Sequence, residues 1–87
     1  MYRPDPAITV DNAAIALEAG VRAIEAGQGE IDLGGVATAD SSAVATMLAW
    51  QRAAQRRKQA LVFCNIPPNL QSLIALYGVG ELLPQRF

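Results

Sequence analysis

Residues 30–43, EIDLGGVATADSSA, constrain the fold of this chain more than any other stretch. The apolar run Ile31 to Leu33 is long enough for a strand and too short for a helix. Gly34-Gly35 then lets the chain turn sharply, and Val36 to Ala39 reads as a loop of small residues. Asp40-Ser41-Ser42 opens a long helical pattern. The stretch therefore brings a carboxylate and two hydroxyls to a helix N-terminus, where backbone N–H groups are unpaired and the dipole is positive. Function is expected at or beside that corner.

The same alternation extends in both directions. Met1 to Ala7, with Pro4 and Pro6, reads as an irregular arm. Ile8-Thr9-Val10 is a short β-branched strand, and Asp11 is placed to cap a helix running to about Ala26. The apolar stripe of that helix is Ala14, Leu17, Val21 and Ile24. Glu18 can pair with Arg22 at i,i+4. Gly20 implies close packing against a neighbour, and Gly27 ends the helix. The second helix runs from about Ser42 to Arg57 on the patch Val44, Met47 and Leu48, extended by Ala43, Trp50 and Ala54. Arg52, Arg56, Arg57 and Lys58 crowd its last turns, where cations complement the dipole. Ala60 to Cys64 is a buried strand. Pro68 to Tyr77 is a third helix with stripe Leu70, Leu73, Ile74 and Tyr77, stopped by Gly78. Glu81-Leu82-Leu83 is a last short element, ended by Pro84.

Strand and helix alternate three times, and the helical stripes are one-sided. This predicts an α/β fold: one small domain over 1–87, 1–7 being the arm, with a mainly parallel, short-stranded sheet and helices on one face. The other sheet face is expected to be under-covered and to invite a partner. Composition agrees with a packed domain, since 52% of residues are hydrophobic and 17% charged. Seven basic residues against eight acidic ones give no electrostatic reason to expect nucleic acid. The chain has no histidine, which removes Ser-His-Asp triads, Cys-His pairs and His-based metal sites. No cofactor or metal is expected. Gly34-Gly35 lacks the spacing of a nucleotide loop. Asp32 has no second carboxylate for acid–base work. Cys64, the single cysteine, is expected to be a buried thiol. With no apolar run of about 20 residues for insertion into a membrane and no export signal, the expected location is cytoplasmic.

The run from Ile31-Asp32-Leu33 through Asp40-Ser41-Ser42, the Val44–Arg57 helix, Leu61–Asn65 and Pro67-Pro68 to Leu76–Leu83 resembles a STAS domain, the fold of bacterial anti-sigma factor antagonists. The match covers roughly two-thirds of the chain in order. Many family members carry Gly where this chain has Ala43, and the usual first strand and its hairpin partner are not found before Ile8. The pattern is thus that of a minimal STAS domain. It is most similar to MlaB-type subunits of the Mla phospholipid-transport ABC system of the Gram-negative envelope.

That resemblance implies a non-catalytic protein that binds and stabilises or regulates an ABC transporter ATPase, peripheral to the inner membrane through the complex. The system maintains outer-membrane lipid asymmetry. The implied contact surface is Thr38, Asp40, Ser41, Ser42, Ala45, Thr46 and Ala49. Ala45, Thr46 and Ala49 are expected on the helix face away from Val44, Met47 and Leu48. In MlaB-like relatives the hydroxyl matching Ser41 lies at the ATPase interface. In phosphorylation-switched relatives the matching serine is the phosphoacceptor. The alternative is therefore an anti-sigma factor antagonist whose Ser41 is modified by an anti-sigma factor kinase. Capping of the second helix by Asp40 or Ser41 is expected in either case. Trp50 is either core or a partly exposed interface anchor, and the Arg56-Arg57-Lys58 cluster is read as a solvated helix end.

Overall fold

A computed structural model describes residues 1–86. The strands are β1 (Ala7–Ile8), β2 (Glu30–Asp32), β3 (Thr38–Ala39), β4 (Val62–Cys64) and β5 (Gln85–Arg86). The helices are α1 (Ala13–Glu25), α2 (Ser41–Arg56) and α3 (Pro68–Tyr77), with a 3-10 turn at Gly80–Leu82. Every strand pair is parallel: β1 with β3, and β4 between β2 and β5. This is the small parallel α/β fold expected from the alternation.

Register explains the layering. Ile31 lies opposite Phe63, and both are fully buried. Alternation turns these two to the helices and turns Glu30, Asp32, Val62 and Cys64 to the other side. On the helical side Ile24, Met47, Trp50, Ala54 and Leu70 join them in one core. Each large side chain so buried contributes about 1.5–3 kcal/mol. α2 is the middle of the helical layer and touches both α1 and α3. Trp50 is core, with no exposed surface, and its indole N–H donates to the Leu17 carbonyl at 3.1 Å. The ring meets Tyr2 edge-on, with centroids 6.1 Å apart. Gly20 is buried directly against that indole. The expectation of close packing at Gly20 is met, and the interface reading of Trp50 is not.

Helix ends follow local chemistry. After α1, Gln28 N–H donates to the Ala23 carbonyl and Gly27 N–H to the Ile24 carbonyl. This double bond pattern needs a left-handed residue, and Gly27 has φ 94°. α2 ends the same way on Lys58, at φ 54°. At the start of α1 the expected side-chain cap by Asp11 is not formed: Asn12 stands at the cap position, without a side-chain bond to the helix N–H groups. Asn12, not Asp11, holds the corner: its side-chain oxygen accepts from Thr9 N–H at 2.9 Å and its amide donates to the Ala7 carbonyl at 2.7 Å.

Several expectations are corrected. The arm is tied to the sheet, because Tyr2 forms an isolated parallel bridge with Ile31 of β2 and Ala7 belongs to β1. The loop after Gly35 contains β3, and β5 follows Pro84. Neither Gly34 nor Gly35 has a positive φ; the turn is instead held by the Asp32 carboxylate, which accepts from Gly34 N–H at 2.9 Å. Ala14 and Tyr77 are exposed rather than core. The sheet face away from the helices, expected to be under-covered, is largely polar. It carries Glu30 paired with Arg86, and Asp32 with Arg3 at 3.2 Å. Cys64 lies among these groups, only 5% exposed, with its sulfur 3.5 Å from an Arg86 nitrogen.

Candidate functional site

The corner at the start of α2 is built around Asp40. Its backbone is extended, and one carboxylate oxygen accepts from Ser42 N–H at 2.8 Å. The other accepts from Val10 N–H at 3.1 Å. One side chain thus caps α2 and ties it to the loop that follows β1. Asp40, rather than Ser41, is the cap. The Val10 N–H, reinforced by that of Ser42, holds the Asp40 carboxyl below the usual carboxylate range. Asp32 is lowered as well, chiefly by Gly34 N–H and then by the Asn65 amide.

The sign of the Asp40 effect gives a prediction. A depressed folded-state pKa contributes stability that is fully present above the unfolded value of about 3.9 and is lost as pH falls through the folded value. Asparagine keeps the capping oxygen but not the charge. Asp40→Asn is therefore expected to be less stable than the parent at pH 6, with the gap closing as pH drops below about 3.9. Denaturant midpoints of both proteins at several pH values measure it; a gap independent of pH removes the assigned role of the charge.

With Asp40 occupied by two backbone donors, Ser41 stands exposed on the first turn of α2. Hollows lie on either side of it. One, of about 250 Å³, separates α1 from α2 and is lined by Ala13, Leu17, Ser42, Ala45, Thr46 and Ala49. The other, of about 430 Å³, lies between α2 and the end of α3, lined by Ser41, Val44, Ala45, Leu48, Tyr77 and Val79. Ala45 borders both. The α2 face is thus a narrow ridge of small side chains with apolar depressions along each flank.

Of the residues expected at the contact surface, Ser41, Ser42, Ala45, Thr46 and Ala49 come together at these hollows. Thr46 departs from its expected exposure. It is only 4% exposed, and its hydroxyl donates to the Ser42 carbonyl at 2.8 Å. It therefore forms groove floor rather than projecting from the ridge, because α1 packs close enough to cover it. Thr38 is exposed on β3, beside the ridge rather than on it. The opposing walls were missed: Ala13, Ala14 and Leu17 on α1, and Tyr77 and Val79 after α2. The sequence places Ala14, Leu17 and Tyr77 on core stripes. The stripes carry no signal that separates wall from core: Ala14 and Leu17 sit at the same three- and four-residue spacing as the buried Ile24.

The family model described as Mlab, STAS domain, matches residues 7–84. The chain belongs to the STAS domain family. No curated protein and no solved structure matches it. Within the STAS domain, the ordered motif elements fall where the geometry just described puts them: Asp40-Ser41-Ser42 at the N-terminus of α2, and Pro67-Pro68 at the start of α3. No helix among the described residues is long and apolar enough to cross a membrane.

Proposed function

We propose that this STAS domain is a non-catalytic subunit that docks through the α2 ridge onto the ATPase of an Mla-type phospholipid-transport ABC complex. It would act on the cytoplasmic side of the inner membrane, stabilising or regulating the ATPase in a system that maintains outer-membrane lipid asymmetry. The observation that carries this reading is the ridge itself. Ser41, Ala45 and Ala49 offer a small-residue surface between two apolar hollows, which lets a partner backbone approach closely and seat side chains on both flanks. The family description supports the Mla-type assignment. The reading as a phosphorylation switch has less support: Asp40, held ionised next to Ser41, would repel a phosphate there.

Ser41→Arg tests the proposal. The residue is exposed, so a long cation should obstruct docking and leave the domain folded. Co-purification with a co-expressed Mla-type ATPase should fall about tenfold, a loss of about 1.4 kcal/mol, while the circular dichroism spectrum is retained. Ser41→Thr should bind nearly as well as the parent. Undiminished co-purification of a folded Ser41→Arg protein would place the interface elsewhere.

A further inference from the structure

The groove between α1 and α2 continues past the small-residue end and changes character. Leu17, Val21, Ala49 and Ala53 line its middle, with Arg52 and Arg56 beside them. Its far end is lined by Val21, Ile24, Ala53, Arg56 and Arg57, with Glu25 on the α1 side. The ion pairs among the described residues are Arg3 with Asp32, Arg22 with Glu18, and Arg86 with Glu30. None of them uses Arg52, Arg56 or Arg57, all of which are exposed. The Arg57 guanidinium donates to the Glu25 backbone carbonyl, at 3.3 Å. Among the described residues these guanidiniums thus flank an apolar channel with no carboxylate paired to them.

We propose that this groove seats an acidic amphipathic helix of the partner ATPase, with its apolar stripe over Ala45, Ala49 and Ala53 and its carboxylates over Arg52, Arg56 and Arg57. The inference rests on the subunit reading above and names the chemistry of the docking element. A helix fits because the lining repeats every four residues on both walls, Leu17 and Val21 of α1 against Ala45, Ala49 and Ala53 of α2. Such rows accept the ridges of a third helix, and alanines let it come close. α1, with 13 residues, gives a seat of about 20 Å, close to four turns. Carboxylates fit because a guanidinium presents a planar fork of donors that matches them in pairs. An anionic bilayer fits less well. The cations border a concave channel rather than a convex face, Glu25 lies at the same end, and the chain carries a net charge of −1.

The experiment measures association of the full domain with an immobilised Mla-type ATPase at about 50 mM and about 500 mM salt. Arg52→Glu/Arg56→Glu/Arg57→Glu is expected to lower the association rate about tenfold or more at low salt, with the gap collapsing at high salt. The same three positions changed to Gln should give a smaller loss in the same direction, which covers any folding defect of the reversed triple. Lys58→Glu, outside the groove lining, should stay within about twofold. If both triples associate like the parent while Ser41→Arg still blocks binding, the groove inference falls and the subunit reading stands. If the parent itself fails to bind, both fall. Binding of the parent, but not of the triples, to vesicles of phosphatidylglycerol and phosphatidylcholine, with equal ATPase binding by all three, would assign the cations to lipid and overturn the proposal.

Discussion

Gly20→Val is expected to destabilise the domain by about 3 kcal/mol, and Gly20→Ala by about 1–3 kcal/mol, against the usual gain from removing a helical glycine. A Cβ at Gly20 would lie 2.1 Å from Trp50 Nε1 and 2.3 Å from its Cε2. Neither side can give easily. The indole is rigid, fully buried and anchored to the Leu17 carbonyl, with Tyr2 against its ring. Gly20 is on the same helix as that carbonyl, so moving α1 outward breaks the anchor as it relieves the overlap. For 87 residues the total stability is roughly 4–13 kcal/mol, so the valine variant loses a large share of it. Urea midpoints of Gly20→Ala in the parent and in a Trp50→Phe background separate overlap from propensity. The alanine should cost less where the indole nitrogen is gone, a coupling between contacting residues. An equal cost in both backgrounds would show that the indole is not what excludes the methyl group.

Asn12→Leu is expected to cost about 2 kcal/mol, and Asn12→Asp nearly as much despite its near-identical shape. Asn12 is the single side chain that accepts from Thr9 N–H and donates to the Ala7 carbonyl. It thereby fixes the corner from β1 into α1, and β1 in turn pairs with β3 next to the docking ridge. Leucine leaves both backbone groups without these partners. Aspartate keeps the acceptor but faces the Ala7 carbonyl with a second oxygen that has no proton to donate at neutral pH. Thermal unfolding of the three proteins measures the effect. An Asn12→Asp domain as stable as the parent would mean that the amide donor contributes nothing.

Much of this architecture was legible in the sequence because it depends on neighbours close along the chain. The Pro67-Pro68 start and Gly78 stop of α3 were read correctly, as was the position of Gly27 after α1, since both depend on local backbone preference. Local chemistry likewise confines the cap on α2 to Asp40 or Ser41, and the fold uses Asp40. The one-sided stripes and apolar runs were enough for a parallel α/β layer, because period alone says which face is buried. Of the three two-residue strands, β1 overlaps the expected Ile8–Val10 strand, whereas β3 and β5 carry no pattern of their own and exist only where a partner strand lies within hydrogen-bond reach. The role of Asn12, in place of the expected Asp11, depends on the positions of Ala7 and Thr9.

The candidate site divides in the same way. That a capped helix start with an exposed serine would stand at the end of residues 30–43 follows from the order of residue types. That Thr46 is covered while Ala14 and Tyr77 are not, and that Trp50 is core, depended on how far apart α1, α2 and α3 settle. The same spacing turned the α2 face into a ridge with a hollow on each flank. A helical stripe specifies an angle around its own axis, whereas burial depends on the distance to the neighbouring helix. Here Gly20 and Trp50 set that distance between α1 and α2, and two residues 30 positions apart in sequence meet only when the chain is folded.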